Sequence, residues 1–150
     1  MIRGVRFRIP NKWASFLQLI FDEISVENYF WLLRDDDVHS NPHESEWLFN
    51  QKYYDGLEFE RIIAHEKYYI LALGLIAFPS ESGEDVYDYA SFMKSTAEFF
   101  VLIFDNIYVN IFAKNEETLK LFEKSANKHE FEDIEYFGED SGWFDCEWTA

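Results

Sequence analysis

Five carboxylates and two imidazoles fall within twelve positions of this chain: Asp35, Asp36, Asp37, Glu44 and Glu46, with His39 and His43. Hard and borderline cations take oxygen and imidazole ligands, so Asp35, Asp37, His39, His43 and Glu46 form a candidate metal-binding set. Counted from Asp35, Asp37 takes the third place and Glu46 the twelfth place of a calcium loop. The rest of that pattern fails, because Ser40 stands where the loop needs glycine, Pro42 stiffens the chain, and strand-like sequence precedes it. A solvated connection from a strand to a helix accounts for the same residues without an ion. A second constellation sets aromatic side chains beside acids: Asp35, Asp36 and Asp37 with Tyr53, Tyr54, Tyr87 and Tyr89 are candidate binding residues. Tyrosine ringed by charge makes good protein-binding anchors, and it also serves as a half-buried structural residue.

Catalytic signatures are missing from the pattern. His39, His43, His65 and His129 have no GxSxG elbow, HExxH helix, Walker loop or GxGxxG turn to work with. Cys146 lies between Asp145 and Glu147, whose negative charge raises a thiol's pKa, and it reads as a packed core residue. No cofactor is expected. One enzyme resemblance uses a long segment: from Asn115 through Leu119, Phe122 and Phe131, the chain resembles the end of a GNAT-type acetyltransferase. That fold implies a glycine-rich pyrophosphate turn before a helix. Residues 79–85 hold one glycine and three acids, which repel phosphate. An acetyltransferase-like or metal-dependent enzyme stays as an alternative to a non-enzymatic protein.

The charge of the whole chain points elsewhere. Its formal net charge is −16 over 150 residues, beyond the magnitude of roughly 2 to 8 that keeps a small domain soluble. Residues 1–21 carry Arg3, Arg6, Arg8 and Lys12 and no acid, which leaves 9 bases against 29 acids, or −20, on the remainder. Nucleic acid is repelled by such a surface, and a basic protein is the natural partner. Mimicry of DNA by spaced carboxylates is a further alternative, and it requires acids on one face at phosphate-like spacing. The single cysteine allows no intramolecular disulfide and fits a reducing compartment. No secretory signal is visible, and the longest mainly apolar run, residues 68–78, is about half of a bilayer-spanning helix. A cytoplasmic protein without a membrane segment is expected.

The elements that must position these residues follow from periodicity. Val5, Phe7 and Ile9 alternate with Arg6 and Arg8 as a strand closed by Pro10. Asn11 then reads as the cap of a helix with Trp13, Phe16, Leu17, Ile20, Phe21 and Ile24 on its inner face. Residues 29–33 form an interior strand that exits to solvent at the acidic triplet, and Asn41 starts a short helix anchored by Trp47 and Leu48. Another short helix carries Phe59, Ile62 and Ile63 into a central strand over residues 68–78. A polar loop over 80–85 leads to helical spacing at Val86, Tyr89, Ala90 and Met93. Residues 98–104 and 107–112 form a hairpin through Asp105 and Asn106, and Asn115 caps a helix with Leu119, Phe122 and Ala126 inward. Residues 134–137 and 143–148 read as edge strands. The fold expected is α+β, with a mainly antiparallel sheet of about five to six strands and helices packed on one face, all within a single domain over residues 1–150.

Three of these stretches, residues 3–11, 68–79 and 98–126, together resemble an uncharacterised family of small acidic proteins from Gram-positive bacteria, known only as a domain of unknown function. The likeness rests on structural landmarks such as a proline after a strand and an asparagine at a helix cap. It implies a bacterial cytoplasmic protein and transfers no catalytic residue or ligand. The function expected is non-enzymatic binding of a basic protein by an acidic surface, as an inhibitor or immunity protein does. Oligomeric state is not legible.

Overall fold

The computed structural model describes residues 2–41 and 46–150. In chain order the elements are β1 (Ile2–Arg8), α1 (Phe16–Ile20), β2 (Phe30–Asn41), β3 (Glu46–Trp47), β4 (Tyr53–Tyr54) and α2 (Gly56–Ile63). They continue as β5 (Tyr69–Phe78), α3 (Tyr89–Lys94), β6 (Phe99–Phe104), β7 (Tyr108–Ala113), α4 (Glu116–Lys128) and β8 (Glu132–Gly138). Among the described residues the eight strands form one antiparallel sheet in the order β3-β2-β5-β6-β7-β1-β8, with β4 also paired to β2. The class is α+β as expected, but the count is eight rather than five to six. The two-residue strands β3 and β4 are too short for alternation to register.

Helices cover both faces of the sheet, not one. Every residue of β6 except Phe104 is buried, so its two faces both require a cover. On one face Val101 and Ile103 join Trp31, Leu75 and Ile111 beneath α1, α2 and α4. On the other, Phe100 and Leu102 join Leu32, Ile76 and Phe112 beneath α3 and the last residues of the chain. There Trp148, wholly buried, stacks on Phe112 at a ring separation of 3.8 Å. Its Nε1 donates to the carbonyl of Trp143 (2.8 Å), and its backbone N–H donates to that of Tyr87 (2.7 Å). The expected edge strand over 143–148 is instead a 3-10 turn at Gly142–Asp145 followed by a strap. Packing Trp148 against four aromatic rings outweighs edge pairing there. Cys146, expected in the core, is exposed on the outer side of that strap.

The first helix is shorter than its periodicity implies. It starts after Ser15 rather than Asn11, because the buried hydroxyl of Tyr68 accepts from the N–H groups of Leu17 (2.9 Å) and Gln18 (3.3 Å). A tyrosine 51 residues away does the work of a local cap. Asn11 accepts instead from the hydroxyl of Tyr69. The acidic triplet is not the exit of β2 either, since the strand runs on to Asn41 through an irregularity at residues 34–37, where Asp35 has φ 51°. Of the helix expected from Asn41, residues 42–45 lie outside those described, and Glu46 and Trp47 form β3. Other landmarks stand: Asp105 and Asn106, both with positive φ, turn the β6-β7 hairpin, and the side chain of Asn115 caps α4 by accepting from Glu117 N–H (2.9 Å).

Candidate functional site

Part of the expected binding and metal set lies at the β2 side of the sheet, in two separate places: Asp36, Asp37, His39 and Glu46 near the bulge, and Tyr53 and Tyr54 at a cleft. At the bulge, the Asp37 carboxylate meets His39 Nε2 at 2.8 Å, and the His39 ring lies over exposed Trp47 at 4.5 Å. Asp36 is half-buried, and its Oδ1 has no hydrogen-bond partner. Burial, and then the charge of Asp37, push its carboxyl up to about 6, against the smaller opposing pull of the Val38 N–H and His39. Asp35 turns the other way, where its Oδ2 accepts from the Ala150 N–H (3.1 Å). Glu46 pairs with Asn41 across β2 and β3, and His43 lies outside the described residues. Among the described residues no three His, Cys, Asp or Glu side chains converge on a point that could hold an ion.

The second place is a cleft of about 340 Å³. Phe30 and Trp31 of β2, Tyr53 and Tyr54 of β4, and Phe78 at the end of β5 give it aromatic walls, while Asp55, Glu58 and Glu81 supply carboxylates. None of its described lining residues is Lys or Arg. Local chemistry builds it. The Asp55 side chain caps α2 by accepting from Glu58 N–H (2.9 Å), which fixes the first turn and hence Glu58. Gly56 lets α2 lie against the backbone of Glu27, whose carbonyl oxygen would sit 2.3 Å from any added Cβ. Phe59 on the inner face of the helix stacks on Trp31 at 4.3 Å.

Of the four candidate tyrosines, two line this cleft and two do not. Tyr53 is 45% exposed, whereas Tyr54 is buried and its hydroxyl accepts from the N–H groups of Asn50 and Gln51, both at 2.9 Å. Tyr87 and Tyr89 belong to the opposite face, where Tyr87 holds the strap through its carbonyl and Tyr89 meets Phe144 edge-on at 4.4 Å. Phe30, Trp31, Asp55, Glu58, Phe78 and Glu81 are outside the set expected from sequence. The only sign in the sequence was that Phe30 and Phe78 occupy strand ends, where large apolar side chains lose their cover.

Cations are distributed unequally. Arg3, Arg6 and Arg8 of β1 pair with Glu139, Glu135 and Asp133 along the β8 edge. Lys120, Lys124 and Lys128 of α4 pair with Glu117, Glu23 and Asp22, and the partnership with Lys128 and His129 holds the Asp22 carboxyl below its usual range. Residues 27–88, which build the β2 edge, hold 14 acids against Arg34, Lys52, Arg61 and Lys67. Arg34 is turned inward onto the carbonyl of Val86. No described helix is long and apolar enough to cross a membrane.

Comparison with known proteins adds kinship without an activity. A family model described as a protein of unknown function, DUF2691, matches residues 2–143. An uncharacterised protein of Bacillus subtilis (strain 168), YncE, is 30% identical over 145 residues, covering 94% of this chain and 95% of that protein. No solved structure matches.

Proposed function

We propose that this chain, which belongs to the protein family of unknown function DUF2691, is a non-enzymatic acidic binding protein for a basic protein partner, acting as an inhibitor or immunity protein does. One observation carries the reading: the arginines of β1 and the lysines of α4 are paired with carboxylates, while the β2 edge gathers acids around exposed aromatic side chains. Negative potential over apolar anchors steers a basic surface in and then holds it. In this reading the protein works in the cytoplasm.

Affinity capture from the native cell at low salt tests it. Basic proteins are retained by the immobilised chain and released as salt rises, because screening beyond a Debye length of about 10 Å at 0.1 M removes the long-range attraction. Retention of no basic protein, or retention indifferent to salt, overturns the proposal. The metal-dependent alternative leans on the Asp37 and His39 pair, and calorimetric titration with calcium, magnesium, manganese and zinc decides it.

A further inference from the structure

We propose that the cleft between β4, the start of α2 and the end of β5 receives an arginine side chain of the basic partner; this deepens the binding function proposed above and rests on it. The space of about 340 Å³ sits at the small end of the roughly 300–1,000 Å³ typical of ligand pockets, which suits one long side chain better than a folded segment. The exposed rings of Phe30 and Tyr53 offer faces to a flat cation. Guanidinium stacks on such faces and binds carboxylate through two parallel N–H donors, whereas ammonium is a compact point charge that keeps its water.

The carboxylates come from two different elements. Glu81, in the loop after β5, has no partner among the described residues. Glu58 has only Arg61, one turn along its own helix and 3.9 Å away, at the limit of an ion pair. Asp55 is partly committed to capping α2, and it adds negative charge that excludes phosphate and carboxylate ligands. Leu57, next to Glu58 in the first turn of α2, is 70% exposed. A cleft at Arg6, Arg8 and Tyr108 differs from it, because there Arg6 pairs with Glu135 and Arg8 with Asp133.

Hexa-arginine, hexa-lysine and spermidine serve as probes in calorimetric titrations of the intact protein at low and high salt. Three variants go beside the wild type: Glu58→Gln with Glu81→Gln, Tyr53→Ser, and a control, Glu66→Gln with Glu147→Gln, which removes the same charge from exposed sites outside the cleft. Hexa-arginine binds the wild type more tightly than either other probe. The cleft pair weakens it about tenfold and Tyr53→Ser about threefold, as loss of a charge-assisted pair and of a stacking face require, while the control changes it less than about twofold. Circular dichroism melts show that each variant is folded. If the cleft and control pairs weaken binding equally, the cleft is not the receptor, although the acidic-surface reading survives. Equal affinity for hexa-lysine or spermidine overturns the arginine assignment. Absence of any salt-dependent binding to hexa-arginine sinks both readings.

Discussion

At the scale of single residues, Asp36 and Trp148 put opposite demands on the fold. Asp36 is an acid whose folded pKa, about 6, lies above its ordinary value of 3.8. Its ionisation therefore favours unfolding: the stability of the neutral form is fully present below 3.8 and is lost as pH rises through about 6. Asp36→Asn is expected to melt like the wild type near pH 4 and above it at pH 7.5, with the gain moderated by the site's partial exposure to solvent. Melting curves of the two proteins at both pH values check this, and a gain that does not depend on pH refutes it. Trp148 fills the second core, so Trp148→Ala is expected to lower stability by about 3–5 kcal/mol in denaturant unfolding. Neither role announces itself. The burial of Asp36 depends on a bulge that no residue pattern marks, and Trp148 alternates with Asp145 and Glu147 in a way that suits an edge strand equally well.

Among the elements, α2 and α1 show how distant groups set helix ends. Asp55→Ala removes the α2 cap and is expected to cost about 1 kcal/mol. Gly56→Ala forces the helix off Glu27 and is expected to cost about 1–3 kcal/mol. The second change also displaces the wall of the cleft, so hexa-arginine binding falls further in Gly56→Ala than in Asp55→Ala. Tyr68→Phe leaves the Leu17 N–H and the Ile63 carbonyl without their shared hydroxyl, a loss of about 1–3 kcal/mol measurable by the same unfolding experiment. What was legible was local. The β6-β7 hairpin, the Asn115 cap and the inward faces of α2 and α4 each carry their signal within a few residues. What was hidden was remote: α1 depends on Tyr68, and the cleft depends on Phe30, Asp55 and Glu81 arriving from separate parts of the chain. Of the cleft's lining, only the adjacent Tyr53-Tyr54 pair stood out in the sequence, and the acidic stretch that drew attention beside it, Asp35 to Glu46, does not line the cleft.

For the molecule as a whole, a net charge of −16 sets a self-repulsion that salt relieves. The melting temperature is expected to rise between about 20 mM and 0.5 M sodium chloride by a few degrees, the shift that roughly 1 kcal/mol produces in a chain of this size. A fall instead means that the ion pairs along β1 and α4 outweigh the repulsion. The central position of β6 has another consequence, one that concerns the chain before it folds. Phe99, Phe100, Val101, Leu102, Ile103 and Phe104 are an uncharged, proline-free hexapeptide of high β-propensity, the composition that stacks into fibrils when left uncovered. Glu98 and Asp105 bracket it as gatekeepers whose charge keeps nascent copies from associating. Acidification strips that protection at the moment the general repulsion also fades, so refolding from denaturant turns from clear to cloudy as the carboxylates protonate.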